Sequence, residues 1–253
     1  MRLSLTLTLL IASVSLATAG TAAAQVASRF HDWTSVIIAG DWRTSRGQPI
    51  EAFDNSVRDL SAGFEALGFP RTSMVAVSLR PDAQHPVTAD DALARIGNAA
   101  STATGGCLLY FTSHGSQRGM VFGPDQIMTP SRLEALVDSW CGVRPTIVIV
   151  SACYSGIFTS ALAEPNRIVV TAARRDRASF GCSEEATYPY FDGCLLQSLP
   201  VATDFIDLAQ RARKCVSERE AAEVLSPPSE PQLAIGAEMQ LRGPTLRFLH
   251  PAQ

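Results

Sequence analysis

Lysine is almost absent: Lys214 is the sole one, and arginine carries the rest of the basic charge. The 21 basic residues stand against 24 acidic ones, a formal net charge of −3, and no Lys/Arg run occurs. That balance excludes a protein that binds nucleic acid through its charge. None of the six cysteines forms a C-x-x-C pair, which removes zinc ribbons and thioredoxin-like redox sites. There is no internal repeat and no linker that would split the chain. Gly105-Gly106 precedes a predicted strand instead of following one, so it is not a phosphate loop. No G-x-S-x-G elbow is present, which argues against a serine hydrolase on a doubly wound sheet. His31, His85 and His250 have no cysteine or carboxylate at ligand spacing and read as surface residues. No metal or cofactor is called for.

What is there is a chain of 253 residues, 46% hydrophobic and 18% charged. It is too apolar for a disordered protein and can bury roughly 70% of the surface its unfolded form exposes. Residues 1–24 read as a secretory signal. Arg2 precedes an apolar stretch, Leu3 to Ala17, and a small-residue run follows, with A-x-A cleavage sites after Ala19 and after Ala24. The stretch is shorter than the roughly 20 residues a membrane span needs. We therefore expect cleavage, a periplasmic or secreted location, and no membrane contact after signal removal. Residues 25–253 form the single expected domain. An oxidising compartment permits disulfides. Cys107 opens an apolar strand and reads as a buried thiol. Cys182, Cys194 and Cys215 fall in a loop-rich C-terminal region where a bridge is expected. The pairing is not readable from the sequence.

Apolar runs alternate with helical patterns. Strands are expected at Ser35–Ala39, Met74–Leu79, Cys107–Thr112, Thr146–Val150 and Arg167–Thr171, with edge strands at Gln232–Ile235 and Leu246–Leu249. A helix over 50–67 carries Phe53, Val57, Leu60, Phe64 and Leu67 on one face and stops at Gly68. A second, over 88–103, has Thr88 as N-cap with Asp90 and Asp91 in its first turn. Others follow Thr129-Pro130-Ser131 and span 187–198 and 203–222. Apolar strands separated by helices predict an α/β fold, a mainly parallel sheet covered by helices on both faces. Ligands of such sheets sit at the carboxyl ends of strands.

Two of those ends carry reactive residues. The third strand runs into Thr112-Ser113-His114-Gly115, the fourth into Ser151-Ala152-Cys153-Tyr154. On neighbouring strands, His114 and Cys153 face one another across the rim. A thiolate attacks a carbonyl carbon, and an imidazole protonates the leaving amine. The N–H groups of Gly115 and Cys153 could bind the oxyanion. Arg174-Arg175-Asp176-Arg177, on the same rim, reads as a solvated loop.

An apolar strand ending in His-Gly, followed by one ending in x-Ala-Cys, resembles the clan CD cysteine peptidases, which include caspases, legumains and gingipains. The closest resemblance is to the legumain family, particularly its bacterial members. Val36-Ile37-Ile38-Ala39-Gly40, Thr171-Ala172-Ala173, Ser179-Phe180-Gly181-Cys182-Ser183, Tyr190-Phe191-Asp192-Gly193 and Ser229-Glu230-Pro231-Gln232 add to it. The resemblance implies a caspase-like three-layer sandwich and a peptidase acting on peptide or protein substrates. It implies His114 and Cys153 as a catalytic dyad that forms a thioester acyl-enzyme. It also implies Arg46, Ser151 and Asp192 as substrate-binding residues, with cleavage after Asn or Asp. The family's glutamate two residues before the nucleophile is Ser151 here, and its Gly-Asp turn is inverted as Asp192-Gly193. The asparagine that assists the dyad in animal legumains has no counterpart, Thr44 being nearest. A transpeptidase of the same family and a catalytically silent binding module are the alternatives. Oligomeric state is not readable.

Overall fold

The computed structural model describes residues 28–250; the expected signal segment, residues 1–24, lies outside them. In chain order the elements are β1 (Trp33–Ala39), α1 (Ala52–Ala66), β2 (Met74–Ser78), α2 (Ala89–Thr102), β3 (Gly106–Thr112), β4 (Gly115–Ser116), β5 (Gly119–Val121), β6 (Ile127–Met128), α3 (Pro130–Cys141), β7 (Thr146–Ser151), α4 (Ile157–Ala161), β8 (Arg167–Thr171), α5 (Tyr190–Ser198), α6 (Phe205–Ala222), β9 (Gln232–Ile235) and α7 (Ala237–Arg242). One sheet has the order β2-β1-β3-β7-β8-β9. Its first five strands are parallel, and β9 closes the edge antiparallel to β8. Strands β4–β6 make a small antiparallel sheet beyond the end of β3.

The central strands are buried along their whole length, which is why they read as unbroken apolar runs. Their alternate residues feed two cores. Ile37, Leu108, Tyr110, Ile149 and Val170 meet α1, α5 and α6 through Phe53, Leu60, Leu195 and Phe205. Val36, Leu109, Val148 and Val150 meet α2, α3 and α4 through Ile96, Leu133, Val137 and Phe158. The architecture is thus three layers. In α1 the predicted face is the buried one, and Leu60→Ala costs about 2–5 kcal/mol at such a site. Gly68 ends that helix with φ +105°, a conformation that favours glycine. Thr88 and Thr129 cap α2 and α3 by accepting the N–H groups of Asp91 and Arg132, each cap contributing about 1 kcal/mol.

Three expectations are corrected. Leu246–Leu249 is not an edge strand. A 3-10 turn containing Pro244 precedes it, and its backbone bonds to Thr203 and Leu67 instead of to a sheet. Phe248 thereby packs against Phe30 and Phe205. Cys107 is not a free thiol: it is bridged to Cys141, at the end of α3, with Cα atoms 6.1 Å apart. The region around Cys194 and Cys215 is helical, and the pair bridges α5 to α6 with a Cα separation of 5.7 Å. Both separations suit a disulfide. Cys153 and Cys182 are free.

Candidate active site

Strands β3 and β7 are direct neighbours, with Thr112 opposite Ser151. His114 and Cys153 each lie two residues further on, and both line one cavity of about 630 Å³ at the carboxyl rim. Thr44, Ser45, Arg46 and the segment Ser179–Glu185 line it too.

The imidazole is held on two sides. Its Nε2 is 2.7 Å from the carbonyl oxygen of Arg43. A carbonyl can only accept, so Nε2 carries a proton, and in the neutral ring Nδ1 is the nitrogen with the lone pair. The Phe53 ring packs against the imidazole in a T-shaped arrangement, 5.3 Å between centroids. Arg43 is itself fixed: its Nε donates to buried Asp41 at 2.9 Å, and its guanidinium lies over Trp42. Asp41 also accepts the Trp42 N–H. These supports are absent from the sequence reading. A backbone carbonyl leaves no mark on side-chain identity, and the loop after the first strand offers no periodicity to read.

The next residue brings the two strand ends together. A Cβ placed on Gly115 would lie 2.1 Å from the carbonyl oxygen of Cys153, so only glycine lets these backbones approach. Val121 donates to the His114 carbonyl. By the antiparallel alternation, the Gly115 N–H then points away from β5 and is not used by the ladder. The Cys153 N–H has no hydrogen-bond partner among the described residues. Tyr154 adopts φ +59°, a conformation rare for non-glycine residues and held here by its N–H bond to the Arg177 carbonyl. The chain therefore turns immediately after Cys153.

The Cys153 thiol is held by Ser179, whose N–H donates to Sγ at 3.3 Å. The carbonyl and hydroxyl oxygens of Ser179 are each 3.5 Å away. Cys182 shares the cavity, and burial pushes its thiol well above the ordinary cysteine range, with the nearby Cys153 adding to the rise. Arg46 lines the cavity and forms no ion pair among the described residues. Ser151 and Asp192 do not line it. Asp192 has no accessible surface, and its carboxylate accepts a hydrogen bond from Thr112 at 2.7 Å. The substrate contact expected of Asp192 does not fit a carboxylate so enclosed, and Ser151 is buried beside it. The arginine cluster on the rim is paired within itself, Arg174 and Arg177 to Asp176, and Arg174 also to Glu230. No group of three or more His, Cys, Asp or Glu among the described residues is arranged to hold a metal ion. No helix among them is long and apolar enough to cross a membrane.

The three layers and two chemistry-bearing strand ends define the class: an α/β protein of caspase-like fold. A solved structure of caspase-1 from Spodoptera frugiperda is similar over 82% of this chain and 88% of its own, with a TM-score of 0.60 and 15% identity. At that identity the likeness is one of fold. The model of the peptidase C13 family matches residues 93–216, a span that includes both His114 and Cys153. No curated protein matches it. Family and fold together support a function of the cysteine-peptidase type acting on protein or peptide.

Proposed function

We propose that the protein is an exported cysteine endopeptidase in which Cys153 is the nucleophile and His114 the general base and acid. His114 Nδ1 takes the thiol proton, and the thiolate adds to the scissile carbonyl carbon. The resulting oxyanion accepts hydrogen bonds from the N–H groups of Gly115 and Cys153. The imidazolium then gives its proton to the leaving amine, and a thioester remains on Cys153. Water, deprotonated by the same imidazole, resolves it to the acid. If an amine resolves it instead, the product is a new peptide bond. The observation that carries this reading is the 2.7 Å contact of Nε2 with the Arg43 carbonyl, which assigns the neutral ring's proton to Nε2 and its lone pair to Nδ1 in a site that also holds a free thiol.

Arg46 is the group we assign to the residue before the scissile bond. Its unpaired guanidinium suits a side-chain oxygen of Asn or Asp. Two intramolecular bridges support an oxidising compartment, in keeping with removal of residues 1–24; N-terminal sequencing of exported protein, with Gly20 or Gln25 expected first, tests it.

The test of the chemistry is digestion of a fluorogenic peptide library by the protein beside Cys153→Ala. Cleavage by the wild type alone, with a thiol-reactive ketone bound at Cys153, is the expected result. Cleavage that survives Cys153→Ala, or no cleavage with an inert Cys153, overturns the reading, the second outcome favouring a silent binding module. Product masses separate hydrolysis from transpeptidation.

A further inference from the structure

Thr112 and Ser151 are the last residues of β3 and β7 and are opposite one another in register. Each precedes a proposed catalytic residue by two positions, and being opposite in register the two point toward the same face of the sheet. On that face stands Asp192, in the first turn of α5. Thr112 Oγ1 donates to its Oδ2 at 2.7 Å, the one hydrogen bond to this carboxylate among the described residues. The carboxylate is fully buried and forms no ion pair among the described residues. Burial pushes it above the ordinary carboxylate range, and the hydroxyls of Ser151, Thr112, Tyr110 and Ser56 act against that rise. The Tyr110 hydroxyl and Asp192 Oδ1 lack a well-formed bond of their own. Enclosing a carboxylate without a counter-ion is costly, so a core position would ordinarily be filled by an apolar side chain. Here the hydroxyl at the end of β3 is bonded to it, and Ser151 at the end of β7 is buried.

We propose that Asp192 is a positioning residue that, through its bond with the Thr112 hydroxyl, fixes the end of β3 and so the placement of His114, two residues beyond, against Cys153 on the neighbouring strand. The inference rests on the dyad reading given above and assigns Asp192 no contact with substrate. Its action passes through the backbone. Losing that bond relaxes the end of β3, and the imidazole at its tip drifts out of line with the thiol.

The experiment compares Thr112→Val, which keeps the shape and removes the hydroxyl, with Thr112→Ser, which keeps the hydroxyl, and adds Asp192→Asn. Two quantities are read on the full protein: kcat and KM on a cleaved peptide, and the rate of Cys153 alkylation by iodoacetamide at neutral pH. Thr112→Val and Asp192→Asn are expected to lower kcat on the order of tenfold to a hundredfold, with KM and the preferred residue unchanged. The alkylation rate falls with kcat, and Thr112→Ser restores both. A Thr112→Val protein with the kcat and alkylation rate of Thr112→Ser overturns the proposal, and this pair decides if Asp192→Asn fails to fold. A raised KM or altered preference at constant kcat also overturns it and returns Asp192 to the substrate. If the wild type cleaves nothing, it is the dyad reading that fails; the alkylation rates still report whether Asp192 governs Cys153.

Discussion

The two rims of the main sheet are built to opposite ends. At the amino rim the strong polar groups are paired internally. Arg144 donates to the carbonyls of Cys141, Ala100, Ala103 and Trp140, so one side chain caps the ends of two helices. Asn166 bonds the carbonyls of Gly142 and Arg144, and buried Arg167 meets Asp138. The Cys107–Cys141 bridge ties β3 to α3 there. At the carboxyl rim the groups of the candidate site are held by one atom and left free at another. His114 is anchored through Nε2 but not Nδ1, and Gly115 is packed against Cys153 with its N–H outside the ladder. One rim stabilises, the other presents unsatisfied atoms to a ligand. Substitutions should separate accordingly: activity lost without stability at the carboxyl rim, stability lost without activity at the amino rim.

The largest effect is expected for Cys153→Ala. Without the sulfur no thioester forms, so turnover should fall to background while the thermal midpoint stays within the range of a small surface change, about 0.5 kcal/mol. A large drop in stability would place Cys153 in the core and blur the contrast. Gly115→Ala comes next. The added methyl meets the Cys153 carbonyl, which must move, and with it the proposed oxyanion donors. A shift near 1 Å in such a site costs about a hundredfold in kcat. Stopped assays on the folded variant measure it, and wild-type kcat would show that the approach of the two strand ends is not what aligns them.

On the other rim, replacing Cys107 and Cys141 together by alanine removes a bridge spanning 34 residues of sequence. The expected loss is about 2–4 kcal/mol, read from denaturant midpoints. The kcat of the folded variant should match the wild type. A matched fall in kcat would mean that the amino rim is coupled to the site, and the comparison would need to be redrawn.

Most of the frame was legible in the sequence because its signals are local. Unbroken β-branched runs at 146–150 and 168–171, the apolar face of α1 and the Thr88 cap need no distant partner to be recognised. The paired strand ends were legible for the same reason: a polar residue just past an apolar run marks the rim. What stayed hidden depends on contacts far apart in the chain. The Cys107–Cys141 bridge, the Arg43 carbonyl on His114 and the burial of Asp192 under Thr112 are each set by packing between elements. Leu246–Leu249 has strand composition, but its aromatic neighbour Phe248 finds a better partner in Phe205 than the sheet edge offers.

Arg46 sharpens the comparison most finely, because it tests whether a free charge on the carboxyl rim is there for a ligand. Its backbone N–H bonds the Thr44 hydroxyl within a tight turn, so the loop holds its shape without the guanidinium. Arg46→Gln should therefore leave stability and the alkylation of Cys153 unchanged. A charge-assisted hydrogen bond to substrate contributes about 1.5–3 kcal/mol, so its loss should lower kcat/KM for the preferred residue by that amount. The loss should be greater for an Asp than for an Asn substrate, since only the carboxylate loses a counter-charge. Matched peptides differing at that one residue read the difference. Equal losses for all residues would make Arg46 a general contact on the peptide, and an unchanged kcat/KM would move the specificity to the Ser179–Glu185 segment across the cavity, where Glu184 and Glu185 stand opposite in charge.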